Sequence, residues 1–445
     1  MKKLFPFFLI IIFIIPVWPE FLELFYIEGL PTMGPVRLFL SIFILLALLS
    51  SLSHKSSAER WNFKSITRER PFRIYVIFYF YAFLTTILFA SKLQRAMLTI
   101  INELLVFVIL SLFVACYFRE KKRANSIIKV LFMAFLVSQL YGIYEYFDQF
   151  NYINSVIPRT NDYIEVMLGT IGSGGRDREG VHRVSSIYAS ALSYAEALAF
   201  FMTFAYFSKA WLKDNFSKIL RIIILCITPF AVYTTDSRAG QMLVVFNLFA
   251  IIALELYFRK KLTLKLIAFV FFVVFSAGIY VLTSTEIPQK IIEKLFIGTT
   301  ETASSSLIRV VQFFTAVDLV SKNPLGYGYV EAVEISGLRS IDNYYFNLVI
   351  DTGIVGLLLF VSYYYLITIG SLKMVLNKDL PVGMRRFAAG LTLSFFTLLI
   401  FMLILSLRGT ALIVMHILIG MYYCLARQQM DIKRAQLKEN NLEVK

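Results

Sequence analysis

The sequence predicts an all-α protein that crosses a membrane about twelve times, with a large helical loop between spans 9 and 10. Three observations predict it. Hydrophobic residues make up 58% of the 445 residues, whereas soluble domains hold about 45–50% apolar residues. Charged residues are only 16%, against about 25% in soluble domains, and the mean hydropathy is +0.71. Apolar stretches of about 20 residues, the length a helix needs to cross a bilayer, recur along the chain. No soluble interior hides this much apolar surface, so lipid must be the solvent. The same figures exclude a disordered chain, a collagen-like repeat and a disulfide scaffold.

The expected spans, in order, are 4–18, 35–53, 72–91, 97–118, 126–147, 187–208, 219–235, 239–257, 264–283, 344–370, 387–407 and 409–426. The first follows Lys2 and Lys3 and lacks a small-residue cleavage pattern, so it reads as a retained signal-anchor. The chain then divides into a five-helix membrane region (1–147), an outer loop (148–186), helices 6–9 (187–283), a large outer loop (284–343), helices 10–12 (344–426) and a tail (427–445). Cys116, Cys226 and Cys424 lie in or beside apolar stretches with no metal-type spacing, which suits packing or lipid-facing residues.

The net charge of +15 is placed as a topology signal, not as a nucleic-acid groove, because Lys and Arg fall in short runs between apolar stretches. With the N-terminus inside, the inner segments carry 29 Lys and Arg and the outer segments 14. Short positive loops stay in the cytoplasm, so both termini are expected there.

Two outer segments are long. The first is rich in glycine and carries Arg159, Arg176, Arg178, His182 and Arg183. It reads either as a solvated flexible loop or as a lid over a polar site, with Arg183 just before a span. In the second, Ile287, Ile291, Ile292, Leu295 and Phe296 repeat at helical spacing, as in an interfacial amphipathic helix. A second helix, capped by Ser304 or Ser305, runs to Asn323-Pro324 and carries Arg309 and Gln312 on its polar face. Pro324-Leu325-Gly326-Tyr327-Gly328 then turns tightly. A short outer loop places Arg238 at a membrane boundary, as a snorkelling anchor or a ligand.

The approach to span 10 reads Asp342-Asn343-Tyr344-Tyr345-Phe346-Asn347, followed by Asp351. Spacing by four puts Asn343, Asn347 and Asp351 on one helix face, with Asp351 about 12 Å beyond Asn343. Polar groups at that depth face the bundle interior or a water-filled cavity, as a packing network or as a site. Gly353 and Gly356 permit close helix approach.

Arg183, Arg238 and Arg309, with Arg339 and Arg408 nearby, thus gather on the outer side. Like charges repel unless an anion holds them, and guanidinium is the preferred fork for phosphate. The natural anion at a membrane surface is a lipid phosphate or pyrophosphate. Asp342 beside them can take the proton of an attacking hydroxyl, while the arginines stabilise charge on a leaving pyrophosphate. No Walker A, Gly-x-Gly-x-x-Gly or Gly-x-Ser-x-Gly motif occurs. The three histidines are too scattered for a zinc site, and Asp177-Arg178-Glu179 is a weak cation pattern. Metal-free chemistry without a cofactor is expected.

These stretches resemble the O-antigen ligase and polymerase superfamily of bacterial inner-membrane glycosyltransferases. The likeness rests on Arg183-Val184-Ser185-Ser186-Ile187-Tyr188, on Ser237-Arg238-Ala239-Gly240, and on the run from Arg309 through Asn323-Pro324-Leu325-Gly326-Tyr327-Gly328 and Asp342-Asn343-Tyr344-Tyr345 to Gly353-Ile354-Val355-Gly356-Leu357. It implies a GT-C-like fold and an undecaprenyl-pyrophosphate-linked donor, with a second lipid-linked unit as acceptor. The pyrophosphate would be held by the positions of Arg183, Arg238 and Arg309, with Arg176, Arg408, Asn343, Tyr344 and Asn347 lining the substrate. Arg309 and Asp342 would be catalytic. Ligases of the family usually carry His where this chain has Asp342, so the resemblance leans to the Wzy-type polymerase branch. Ligase is the second reading and a lipid-linked oligosaccharide flippase the third, with Glu103 and Glu196 inside spans on its side. Lipid and a chain-length regulator are the remaining partners, and nucleic acid is not one.

Overall fold

The computed structural model describes residues 3–19, 34–53, 63, 66–153, 177–178, 181–188, 190–260, 300–338, 341, 343–403 and 409–443. Its helices are α1 (Phe5–Ile14), α2 (Pro35–Ser53), α3 (Arg70–Phe89), α4 (Leu93–Tyr117), α5 (Lys121–Asp148), α6 (Ala191–Phe207), α7 (Asn215–Tyr233), α8 (Arg238–Phe258), α9 (Thr300–Lys322), α10 (Ala332–Ser336), α11 (Tyr344–Leu376), α12 (Val382–Phe401) and α13 (Thr410–Glu443). A two-residue antiparallel pair, β1 (Asp177–Arg178) with β2 (Val181–His182), precedes α6. The protein is an all-α polytopic membrane protein, as the composition predicts.

Among the described residues, eight helices are long and apolar enough to cross a membrane, and α1 and α2 contain shorter apolar helices. Every expected span outside 264–283 overlaps one of these helices or α6. The 264–283 span and the amphipathic segment at 287–296 lie outside the described residues. Several boundaries differ from expectation. The α9 helix starts at Thr300, so Ser304 and Ser305 sit inside it instead of capping it. The α13 helix continues through most of the expected tail to Glu443, because the polar residues after Ala426 include no proline or glycine to stop it.

Local signals set the helix starts. Pro71 occupies the first turn of α3, where its missing N–H costs nothing. Ser190, Asp214 and Ser237 cap α6, α7 and α8 by accepting from Ser193 N, Ser217 N and Gly240 N. The α6 helix is buried along nearly its whole length and packs against α7, α8 and α12. The α11 helix packs against α3, α9 and α12, and α13 against the second half of α4. Outward side chains such as Leu88 (69% exposed), Phe80 and Met242 would be a liability in water; facing lipid they are solvated.

Contacts sort the loops into two faces. The α3–α4 turn, the end of α5, the α7–α8 turn, α10 and the start of α11 belong to one face, joined by Lys92–Glu334, Val184–Thr234 and Asn343–Leu403 contacts. On the other face Glu255 pairs with Lys209 and Arg386, and Lys129 with Asp214. The same two sets follow from strict alternation of the expected spans.

One chain of buried polar groups inside the bundle is paired. Tyr79 and Tyr329 donate to Glu103 Oε2 (3.3 and 2.5 Å). Tyr75 OH bonds Tyr79 OH (3.1 Å) and His416 Nε2 (3.1 Å), which Tyr364 OH also reaches (3.2 Å). This chain ties α3, α4, α11 and α13 to the outer loop after α9, and it accounts for Glu103 structurally.

Candidate functional site

The first cluster is built at the end of α5. Glu145 is fully buried. Its Oε1 accepts from Ser185 N (3.2 Å) and bonds His182 Nε2 (3.2 Å), and its Oε2 accepts from Ser186 N (2.7 Å) and Asn151 Nδ2 (2.9 Å). Arg183 lies within this segment. Its Nε donates to Thr235 O (3.1 Å), and Val184 N donates to Thr234 O (3.1 Å). The segment expected to carry the first arginine is therefore laced to the turn that carries the second.

That turn explains Ser237-Arg238-Ala239-Gly240 residue by residue. Asp236 takes a left-handed φ of 47° and reverses the chain. Ser237 caps α8. Arg238 is the first helical residue and is exposed. A Cβ at Gly240 would meet Ala195 Cβ at 2.6 Å, so only glycine lets α8 press on α6. A cation at a helix N-terminus adds to the positive end of the helix, which disfavours the arrangement alone and favours it with an anion bound.

The second cluster lies between α9 and the start of α11. Arg309, Gln312, Asn343, Val310, Phe313, Phe346 and Leu403 line a cleft of about 280 Å³. Gln312 is 1% exposed and Arg309 is exposed. Asn343 is the N-cap of α11, accepting from Tyr345 N (2.9 Å) and Phe346 N (3.2 Å), and its amide donates to Leu403 O (2.9 Å). Asn347 Nδ2 donates to Ile341 O (2.9 Å), and Tyr344 is buried with its N–H on Met402 O. The residues on either side of position 342 are thus pinned from both directions. Asp342, Arg176, Arg339 and Arg408 lie outside the described residues.

The third feature corrects the expectation of one polar helix face. Asn343 precedes the helix, and Asp351 belongs to a different construction. Gly353 (φ 66°, ψ −173°) breaks α11, and the Pro324–Gly328 turn fills the break. Tyr327 N donates to Ile350 O, Gly328 N to Asp351 O and Ile354 N to Pro324 O, at 2.9–3.0 Å. Asp351 Oδ1 accepts from Glu331 N (2.9 Å) and Ala332 N (2.8 Å). A Cβ on Gly353 would come 2.2 Å from Pro324 O. The glycine-rich run after α9 and the Gly353 segment are therefore two halves of one lock. Broken helices mark binding sites in transporters, but here the exposed backbone groups are taken up by the chain's own turn. Further bonds fasten that turn to α3 and α4: Tyr329 N to Thr86 Oγ1, Lys92 N to Glu331, and Lys92 and Arg95 to Glu334.

Glu145 and Asn151 were not expected as site residues, although a carboxylate closing the apolar α5 stretch was a visible signal. The Gly353 break had no periodicity signal, since apolar runs flank Asp351-Thr352-Gly353 on both sides, as they would in an unbroken span.

A many-helix membrane protein with arginines fixed at one face and an amphipathic cleft between α9 and α11 is the class defined by this geometry. Residues 222–361 match a family model described as O-antigen ligase, so this part of the chain is similar to that family. The matched segment includes Arg238, Arg309, Asp342, Asn343 and the lock, and leaves out Glu145 and Arg183. No curated protein matches the sequence.

Proposed function

We propose that the protein polymerises undecaprenyl-pyrophosphate-linked oligosaccharide repeat units into O-antigen or a related surface polysaccharide, at the periplasmic face of the bacterial inner membrane. The observation that carries this reading is the cleft shared by Arg309, Gln312 and Asn343, whose other walls are apolar. A charged head group on an isoprenoid chain has that dual chemistry. Arg309, with Arg238 and Arg183, grips the donor pyrophosphate by charge-assisted hydrogen bonds. The acceptor hydroxyl of a second lipid-linked unit attacks the anomeric carbon, and Asp342 takes its proton. The carbon–oxygen bond to the diphosphate breaks, undecaprenyl diphosphate leaves, and the arginines stabilise its charge. Asn343 and Asn347 hold the backbone beside Asp342. Arg176, Arg408 and Tyr344 complete the substrate surface in this reading.

The family description favours one second reading, a ligase that transfers the glycan to a lipid A–core acceptor. Proteoliposomes containing the purified chain and a lipid-linked repeat separate the two. A ladder of longer lipid-linked glycans identifies the polymerase. Products formed only after lipid A–core is added identify the ligase, and movement of the lipid across the bilayer without any new glycosidic bond identifies a flippase. Arg309→Ala is expected to reduce ladder formation about 100-fold or more, the scale of removing one charge-stabilising donor, at unchanged protein level. Normal ladders from this variant would remove Arg309 from the site.

A further inference from the structure

Glu145 lies outside the segment matched by the family. Among its described hydrogen-bonding partners, His182, Ser185 and Ser186 flank Arg183, and Asn151 holds the same segment through Ser186 O. Two are backbone N–H groups, of Ser185 and Ser186, and two are side chains, of His182 and Asn151. A buried carboxylate costs several kcal/mol (roughly) unless hydrogen bonds satisfy it; here three of the described partners lie in the His182–Ser186 segment, whose regular structure ends with β2 at His182. The segment is also strained. Ser186 adopts a left-handed φ of 52°, which non-glycine residues keep only when their surroundings over-determine it. Three hydrogen bonds do so here: Ser186 N on Glu145, Ser186 Oγ on Ser138 O (2.7 Å), and Asn151 Nδ2 on Ser186 O (2.8 Å). Strain held in place beside an arginine points to a conformation kept for what the arginine does.

We propose that Glu145 is a positioning residue, which shapes the His182–Ser186 segment so that Arg183 docks on the Thr234–Thr235 turn beside Arg238 and the two cations meet one lipid pyrophosphate. The inference rests on the reading of Arg183 as a pyrophosphate ligand. It adds that this ligand's placement is dictated from α5, through backbone hydrogen bonds, and not by the helices that carry the other arginines. Glu145→Gln tests it with nearly the same volume. One acceptor oxygen becomes an NH2 donor, so the amide either faces the N–H of Ser186 and Nδ2 of Asn151, two donor–donor contacts, or faces the N–H of Ser185, at least one.

The experiment is a double-mutant cycle on the full chain in nanodiscs, with undecaprenyl pyrophosphate as the probe and its Kd as the readout. Wild type, Glu145→Gln, Arg183→Ala and the double variant are compared, with a melting temperature for each. Each single variant is expected to weaken binding about tenfold, the scale of one charged hydrogen bond, and the double variant to bind no more weakly than Arg183→Ala alone. Such non-additivity is what acting through Arg183 means; a residue that merely stabilises the fold would lower the melting temperature and leave the two effects on Kd independent. Wild-type affinity in Glu145→Gln, or losses that add in full, overturns the inference and leaves Arg183 as a ligand. Wild-type affinity in Arg183→Ala overturns the pyrophosphate reading and this inference with it. Should Glu145→Gln fail to fold, Asn151→Ala takes its place, because it removes one donor and keeps the carboxylate. The same non-additivity with Arg183→Ala is expected, and wild-type affinity overturns the proposal.

Discussion

At the scale of single residues, the assigned roles differ in what they predict. Arg183, Arg238 and Arg309 are proposed to hold the pyrophosphate and stabilise its charge, and Asp342 to act as base, so Asp342→Asn should lower kcat more than it raises the donor KM. A general base contributes about 100- to 10,000-fold, so a loss within that range is expected in single-turnover assays with saturating donor. A loss confined to KM would make Asp342 a binding residue, and full activity would remove it. The sequence made the arginines legible because cations are conspicuous at a membrane boundary. Asn343 and Asn347 were legible as polar residues but not as what they are, a helix cap and a clamp on Ile341 O. The reason is physical: spacing by four tells which residues can share a helix face, but only the start of the helix tells which of them lies outside it. Glu145 was illegible for another reason. Its partners are 6 to 41 positions away, and one sequence carries no sign of such a meeting.

At the scale of elements, the lock between the Pro324–Gly328 turn and the Gly353 break decides how α9 is held against α11. Gly353→Ala adds a methyl group where Pro324 O already sits and forces an L residue to a φ of 66°. The expected cost is about 1–3 kcal/mol for the backbone strain alone, more if the turn is expelled. Melting of the detergent-solubilised protein measures it, and an unchanged melting temperature would mean that the break is not needed. The clasp between α10 and α4 gives a pH prediction. Hydrogen bonding from Lys92, joined by the Arg95 charge, holds the Glu334 carboxyl below its usual range. A depressed folded pKa adds stability above the unfolded value, near 4.3 (roughly), and loses it as pH falls through the folded value. The wild type should therefore melt slightly above Glu334→Gln at pH 7 and converge on it as pH falls through the depressed folded value, the effect being small because the pair is exposed. The helical elements themselves were legible, since apolar length alone defines a span. The break at Gly353 was not, because a glycine inside an apolar span looks the same whether it serves packing or a reversal of φ.

At the scale of the whole molecule, alternation and orientation rest on different physics and need separate tests. The contacts divide the loops into two faces without reference to charge: Glu334 meets Lys92 and Arg95 on one face, and Glu255 meets Lys209 and Arg386 on the other. Hydrophobic periodicity was enough to anticipate this division, because an error of one span would have placed these partners on opposite sides of the bilayer. Which face lies inside is a matter of the charge bias alone, 29 against 14, acting on short loops. The proposed chemistry requires the arginine face to be outside, where the lipid-linked units accumulate after translocation. Cysteine labelling in spheroplasts tests this, after replacing Cys226, the exposed one of the three native cysteines, with serine. Single Lys92→Cys and Glu334→Cys variants should react with an impermeant maleimide in intact cells. Lys378→Cys and Lys433→Cys should react only once the membrane is opened. The reverse pattern would turn Arg183, Arg238 and Arg309 toward the cytoplasm, leaving the two-faced bundle intact and the polymerase reading without a donor on the correct side.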